Sequence, residues 1–565
     1  MHTSAQQRGT TVANLNLPTP ALRVPAARQI TRRLFHRTCV LAILLTRLAV
    51  GQIDTTSIAP HRYLILYRNA AIPGDAESRV AAAGARLSHR NEHFGIAAVE
   101  SQSIIEDDDA TLTRLAAQPN VEYVLHDRIV SAHRLRLQRI GPPPSVETAG
   151  QSPTPSTPIG RLPTHGPILN TLPSLPAPLP PPPYDAYYAN TPQGWAVQQV
   201  GGYGNNVPGG PAHGPWDTTM GRGVRIAIID SGVDQTHPDI APNLGLNMTE
   251  IDQSAYPSAC DDGTPQDQQG HGTWTASLAA GAIGPGTGEV IGVAPQATIL
   301  NIKVLQRMPA AISGQSNLAS QCEAGEASGL LSWVMQGIED AIANRADVIS
   351  LSLGATADLT TGDGAGLLAA FNRITYAAAQ ANIVLVASAG NDGLDLSNPR
   401  YVELPAQSRS VLALVASTNP ACAQNTTPGA VCVPGPVTFP YYSNYGAPLN
   451  ALAAPGGSYP AGDDLGISGW VRGACSSGKP NTLDGIPSDA AHSLGCFNLG
   501  HIGYVQAMGT SASAPLAAGV AALLRAAHPD WSATTVVNAM RNSAIPTPGL
   551  PVPQVSATTA LTQAP

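Results

Sequence analysis

Charge is scarce in this chain of 565 residues: Asp, Glu, Lys and Arg make up 12% of it, about half the usual share. That scarcity excludes a nucleic-acid binder with a basic face, and it excludes a coiled coil. No apolar run reaches the roughly 18 to 20 residues of a membrane-spanning helix; the nearest, residues 39–50 (CVLAILLTRLAV), is short and broken by Arg47. Cysteine is sparse as well, with seven in all, and no Cys-x-x-Cys spacing with His partners suggests zinc. The formal net charge of −8 bears on solubility and steering and excludes no substrate class.

Glycine and proline, in contrast, are plentiful at 55 and 51 residues, which points to many tight loops and at least one irregular segment. The length suits two or three domains. The first 47 residues hold seven Arg, and no Asp or Glu precedes Asp54. The weak apolar run that follows ends in Ala49-Val50-Gly51, a small-x-small cleavage pattern. Residues 1–51 therefore read as an export signal, and Thr31-Arg32-Arg33-Leu34-Phe35-His36-Arg37 resembles the twin-arginine motif. An Arg-rich transit peptide or a mis-assigned start codon are the alternatives. Export predicts a secreted or periplasmic protein. Once Cys39 leaves with the signal, six cysteines remain, an even number that suits disulfides. Pairing Cys422 with Cys432 and Cys475 with Cys496 would close short loops and leave Cys260 for Cys322; other connectivities stay open.

Downstream, the pattern divides. Strand-like runs at 63–67, 94–99 and 121–124 alternate with helix-like stretches at 76–85 and 110–117, which predicts a small α+β domain over 56–133 with no chemistry of its own. Residues 134–183 are Pro-rich and read as a semi-rigid spacer. Between 184 and 545, near-continuous apolar runs at 224–229, 298–304, 348–353, 383–386 and 411–415 require burial on both faces. Covering helices show as Leu331, Val334, Met335, Ile338 and Ile342 on one face, and Leu367, Phe371, Ile374 and Ala378 on another. The predicted fold is a doubly wound α/β domain with a mainly parallel sheet, followed by a tail over 546–565.

Three segments carry chemistry. Asp230 ends the run 224–229, where open α/β sheets place their ligands. His271 stands between Gly270 and Gly272 at the start of a small-residue helix. Ser511, in Gly509-Thr510-Ser511, opens a buried Ala-rich helix, where free N–H groups and the dipole favour developing negative charge. Each alone could be a cap or a turn residue. Asp, His and Ser in that order match one of the three known orders of the serine-protease triad.

In this order, and together with Asp230-Ser231-Gly232-Val233-Asp234, Gly270-His271-Gly272-Thr273, Gly292-Val293-Ala294-Pro295, Ser352-Leu353-Gly354, Ser388-Ala389-Gly390-Asn391, Ser443-Asn444-Tyr445-Gly446 and Ala454-Pro455-Gly456, the chain resembles the subtilisin-like serine proteases. The resemblance implies a serine endopeptidase made as a zymogen, with Asp230, His271 and Ser511 as triad and Asn391 as oxyanion donor. It implies that Ser352-Leu353-Gly354 pairs with extended substrate and, with Ala389 and Gly390, walls the primary specificity pocket. Asp392 is expected at the pocket rim, where it would favour a His or Arg. Residues 63–130 resemble the family's propeptide, with the first cut expected near His133 and Arg134. No cofactor is required for the chemistry; Asp239 matches a calcium ligand of bacterial subtilisins, but the loop 281–289 offers no Asn side chain to join it. Cys260 and Cys322 resemble, in placement, a bridge of the proteinase-K-like branch. Ala512 and Leu516 stand where many subtilisins have Met and His. The implied partners are polypeptide substrates and the chain's own propeptide as intramolecular inhibitor, with no nucleic acid, no membrane span in the mature form, and a monomeric enzyme. A non-catalytic binding protein on the same scaffold is the rival reading; its signature, a lost triad or oxyanion residue, is not found.

Overall fold

A computed structural model describes residues 58–102, 108–133, 136–139, 188, 191–205, 213–284, 287–310, 317–419, 437–458, 469–478 and 495–562. The segment expected to be an export signal, most of the Pro-rich segment and the Cys422 and Cys432 positions lie outside these residues.

The core is a seven-stranded sheet, ordered Leu452–Pro455, Val411–Ser417, Val384–Ser388, Val348–Leu351, Arg225–Asp230, Thr298–Lys303, Leu244–Thr249, and every pairing in it is parallel. Alternation along each strand sends side chains to opposite faces. Ile226 and Ile228 enter the core under the helices His271–Ala280 and Thr510–Ala527, whereas Ala227 and Ile229 enter the core under Leu331–Ala343 and Gly362–Gln380. Both faces are thus covered, as the near-continuous apolar runs predict, and the fold is α/β and doubly wound. The helix Thr510–Ala527 is buried over most of its length; its Pro515 lies inside the helix, past the first turn, and removes the N–H that would meet the Ser511 carbonyl, to which the Ser352 hydroxyl donates instead at 3.0 Å.

Residues 58–132 build a second, smaller layer: an antiparallel sheet ordered Val121–Ala132, Ile58–Tyr67, Ile96–Ser101, Ala85–Asn91, with the helices Ala76–Ala82 and Asp108–Ala116. It is seated on the helices Leu331–Ala343 and Gly362–Gln380 through polar contacts at their N-terminal ends. Asp127 accepts from the Ser332 N–H at 3.1 Å and from its hydroxyl at 2.6 Å, and His126 meets Asp363 at 2.9 Å. Carboxylates at helix N-termini are the favourable arrangement. Arg373 completes the seat by donating to the Tyr67 and Phe94 carbonyls at 2.9 and 3.0 Å.

Two expectations change. Residues 546–562 are not a free tail: Val555, Ala557 and Ala560 are buried in the main core, and Gln554 bridges Ala453 and Ile545. Nor is the start of the Pro-rich segment wholly a spacer, because Arg136–Arg139 pairs antiparallel with Tyr504–Met508. The disulfides described are Cys260–Cys322 and Cys475–Cys496. No helix among the described residues is long and apolar enough to cross a membrane.

Candidate active site

The site lies at the carboxyl end of an inner strand of the parallel sheet. Asp230 closes Arg225–Asp230 and is buried; its Oδ1 accepts from the Ser231 N–H at 2.7 Å and from His271 Nδ1 at 2.7 Å, and its Oδ2 accepts from the Thr275 hydroxyl at 3.2 Å. One carboxylate thereby fixes both the position and the tautomer of the imidazole. His271 begins its helix because Gly270 adopts φ 107°, a left-handed conformation that a side chain rarely takes. A Cβ at Gly270 would also lie 2.7 Å from Cys475 Sγ, and one at Gly272 would overlap the Gly232 carbonyl. The two glycines flanking His271 are required for close approach.

Asp267 organises this turn and was not singled out from the sequence. Its Oδ1 accepts from the Gln269 and Gly270 N–H groups at 2.9 and 2.8 Å and from the Ser231 hydroxyl at 3.1 Å. Its Oδ2 accepts from the Thr273 N–H and hydroxyl at 3.0 and 2.5 Å. Burial pushes this carboxyl upward, and the hydrogen bonds from Gly270 and Thr273 oppose that push. The available signal was its place three residues before Gly270, the spacing of a capping carboxylate.

Ser511 lies in the first turn of Thr510–Ala527. Its hydroxyl points to the Ser352 carbonyl at 3.4 Å, and the Ser352 hydroxyl donates to the Ser511 carbonyl at 3.0 Å. His271 Nε2 is buried with no hydrogen-bond partner among the described residues. Asn391 Oδ1 accepts from the Thr510 N–H and hydroxyl, both at 2.8 Å, which settles which end of the amide is oxygen. Asn444, fully buried, braces the same loop by accepting from the Asp392 and Leu394 N–H groups at 3.1 and 2.9 Å.

The segment ending in His133 runs through this site. Ser131 pairs with Ser328 on one side and with Gly354 on the other, Val130 with Gly329, Ile129 with Leu330, and Ala132 with Leu353. Residues 129–132 thus form the middle strand between Glu326–Leu330 and Leu353–Asp358. Beyond His133 the chain reappears as Arg136–Arg139, paired with the strand that leads through Gly509 into Ser511. Leu353 and Gly354 pair with this segment, and Ser388, which precedes Ala389 and Gly390, meets the His133 ring at 2.8 Å.

Asp392 is exposed and forms no ion pair among the described residues, because the turn through Gly393, at φ 66°, directs it to solvent. The carboxylate that meets His133 belongs to Glu403, at 3.1 Å. Asp239 accepts from the Gly288, Glu289 and Val290 N–H groups, and no cluster of three His, Cys, Asp or Glu suited to a metal exists among the described residues. Three N–H dipoles aimed at both Asp239 oxygens fit an anion held by the loop, not a shared calcium ion.

Thermitase of Thermoactinomyces vulgaris is 34% identical over 258 residues, 45% of this chain and 72% of the relative. Subtilisin E of Bacillus subtilis (strain 168) is 28% identical over 326 residues, 57% of this chain and 61% of its own. The intracellular serine protease of Paenibacillus polymyxa is 31% identical over 198 residues, 34% of this chain. The chain spans about half the length of this last relative, 49%. Among solved structures, the epidermin leader peptide processing serine protease of Staphylococcus aureus shares the fold with a TM-score of 0.56 at 16% identity, over 89% of this chain and 99% of that one. Fervidolysin of Fervidobacterium pennivorans does so at 0.55 and 17%, over 91% and 62%. The subtilase family model matches residues 221–563, more than half of the chain, and the protein therefore belongs to the subtilase family.

Proposed function

We propose that this chain is an exported serine endopeptidase made as a self-cleaving precursor, in which Ser511 cuts between His133 and Arg134 and residues 58–133 then remain as an inhibitor. The observation that carries the reading is the strand 129–132, held on both edges like an added substrate strand, with the chain resuming beside the nucleophile. Ser511 Oγ turns from the Ser352 carbonyl toward His271 Nε2, which takes its proton as the oxygen attacks the carbonyl carbon. The oxyanion accepts from the Asn391 amide and the Ser511 N–H. The C–N bond then breaks, His271 returns the proton to the leaving amine, and an acyl-enzyme remains for water to hydrolyse. Asp230 stays ionised and steadies the imidazolium. A buried ring nitrogen without a partner is costly; in this role His271 Nε2 acquires one during the reaction. The two disulfides support export, since they persist in oxidising compartments.

An active-site-directed fluorophosphonate tests the chemistry without knowledge of the substrate. Matured protein is expected to lose peptidase activity as one phosphonyl group attaches, and peptide mapping should place that group on Ser511. Labelling at another serine, or full activity after labelling of Ser511, would contradict the assignment.

A further inference from the structure

The strand Tyr401–Leu404 pairs antiparallel with Leu353–Asp358, with Glu403 opposite Thr356. Val402 and Leu404 enter the apolar core, so alternation turns Glu403 to the other face, where it is still 2% exposed. An ionised carboxylate at such depth is costly unless paired and hydrogen-bonded. Thr356 satisfies one oxygen of Glu403, donating to Oε2 at 2.7 Å. The other, Oε1, meets His133 Nε2 at 3.1 Å, and among the described residues no Lys or Arg pairs with Glu403; His133 is its ion-pair partner.

The same ring is held at its other nitrogen. His133 Nδ1 lies 2.8 Å from Ser388 Oγ, and Ser388 itself donates toward the Leu351 carbonyl at 3.4 Å. A carboxylate only accepts, so the ring donates from Nε2 to Glu403, while the Ser388 hydroxyl at Nδ1 can donate or accept. A buried carboxylate that only accepts is the surrounding a cationic side chain satisfies. Space for it is reserved by glycine: a Cβ on Gly354 would lie 2.5 Å from Glu403 Oε1 and 2.7 Å from His133 Nε2.

From this we infer that Glu403 is the specificity-determining residue of the pocket that His133 fills, and that substrates are polypeptides with a cationic residue, Arg, Lys or His, immediately before the cut. The inference rests on the reading of Ser511 as the nucleophile and of 129–133 as a substrate-like segment. When residues 58–133 leave, Glu403 Oε1 loses its partner, and a positively charged side chain restores there a hydrogen bond in which both partners are charged. An aromatic or aliphatic side chain would bury the carboxylate unpaired.

The test is a panel of fluorogenic peptides identical except for Arg, Lys, His, Phe or Leu before the scissile bond, assayed with the matured wild type and with Glu403→Gln. The wild type is expected to cut the Arg and Lys peptides with kcat/KM about 10- to 100-fold above the Phe peptide, the range of one charge-assisted hydrogen bond. In Glu403→Gln that ratio should fall by a similar factor. Fluorophosphonate labelling of Ser511 in the variant reports that it has folded; should it not fold, the wild-type ranking alone decides. Equal or faster cutting of the Phe peptide by the wild type overturns the inference and leaves the peptidase reading standing, as does a ratio unaltered in a folded Glu403→Gln. No cleavage of any peptide overturns the peptidase reading, and this inference with it.

Discussion

Replacing Ser511 by Ala is expected to leave the precursor as one uncut chain and to lower peptide hydrolysis about 10⁶-fold, a magnitude borrowed from removal of the nucleophile in a subtilisin. Both losses follow from one atom, because the segment held between Glu326–Leu330 and Leu353–Asp358 is the chain's own. The fold should survive. Ser511 Oγ makes only a long bond to the Ser352 carbonyl, and Ala in the first turn of a buried Ala-rich helix is well accommodated. Intact mass after expression in a host without other extracellular proteases reads the outcome. A Ser511→Ala chain cut at the same place as the wild type would contradict self-cleavage.

Asn391→Ala should lower kcat about 10² to 10³-fold with KM little changed; this too is scaled from a subtilisin. The reasoning is that the amide NH₂ donates to charge that exists only in the transition state, so ground-state binding is spared. The variant also deprives the Thr510 N–H and hydroxyl of their acceptor. Asn391→Asp separates the two effects: it keeps an oxygen for Thr510, removes the donor, and adds a charge of the wrong sign, so its kcat should fall at least as far. Steady-state kinetics on one peptide checks both, and an unchanged kcat in either variant would remove Asn391 from the oxyanion site.

The parts that the sequence made legible share a physical reason. Five of the seven strands in the parallel sheet are apolar on both faces, and burial on both faces leaves a continuous run. Leu244–Thr249 and Leu452–Pro455 are the edges of that sheet, the first of them half polar, and neither produced a run. In the smaller layer, Ala85–Asn91 escaped for the same reason: it is an edge strand, half-buried along most of its length. Asp230, His271 and Ser511 could be read because each stands in a local frame of small residues forced by close approach, such as Gly270 and Gly272.

What was not legible depends on chain segments far apart. Glu403 looks like the polar residue of an ordinary strand, and its meaning arises only when His133, 270 residues earlier, is brought beside it. Asp392 follows Asn391 and is exposed, and its place in the sequence did not point to Glu403 as the carboxylate that meets His133. Likewise residues 546–562 carry few large apolar side chains, yet Val555, Ala557 and Ala560 are buried in the same core as the helix Thr510–Ala527.

The most direct measurement is the N-terminal sequence of the first large fragment released as the wild-type precursor matures, sampled before any later trimming. A first new terminus at Arg134 is expected, leaving His133 as the carboxyl end of the smaller fragment with its ring against Glu403. A first terminus within the folded residues 58–125, or one appearing only beyond residue 183, would contradict the account.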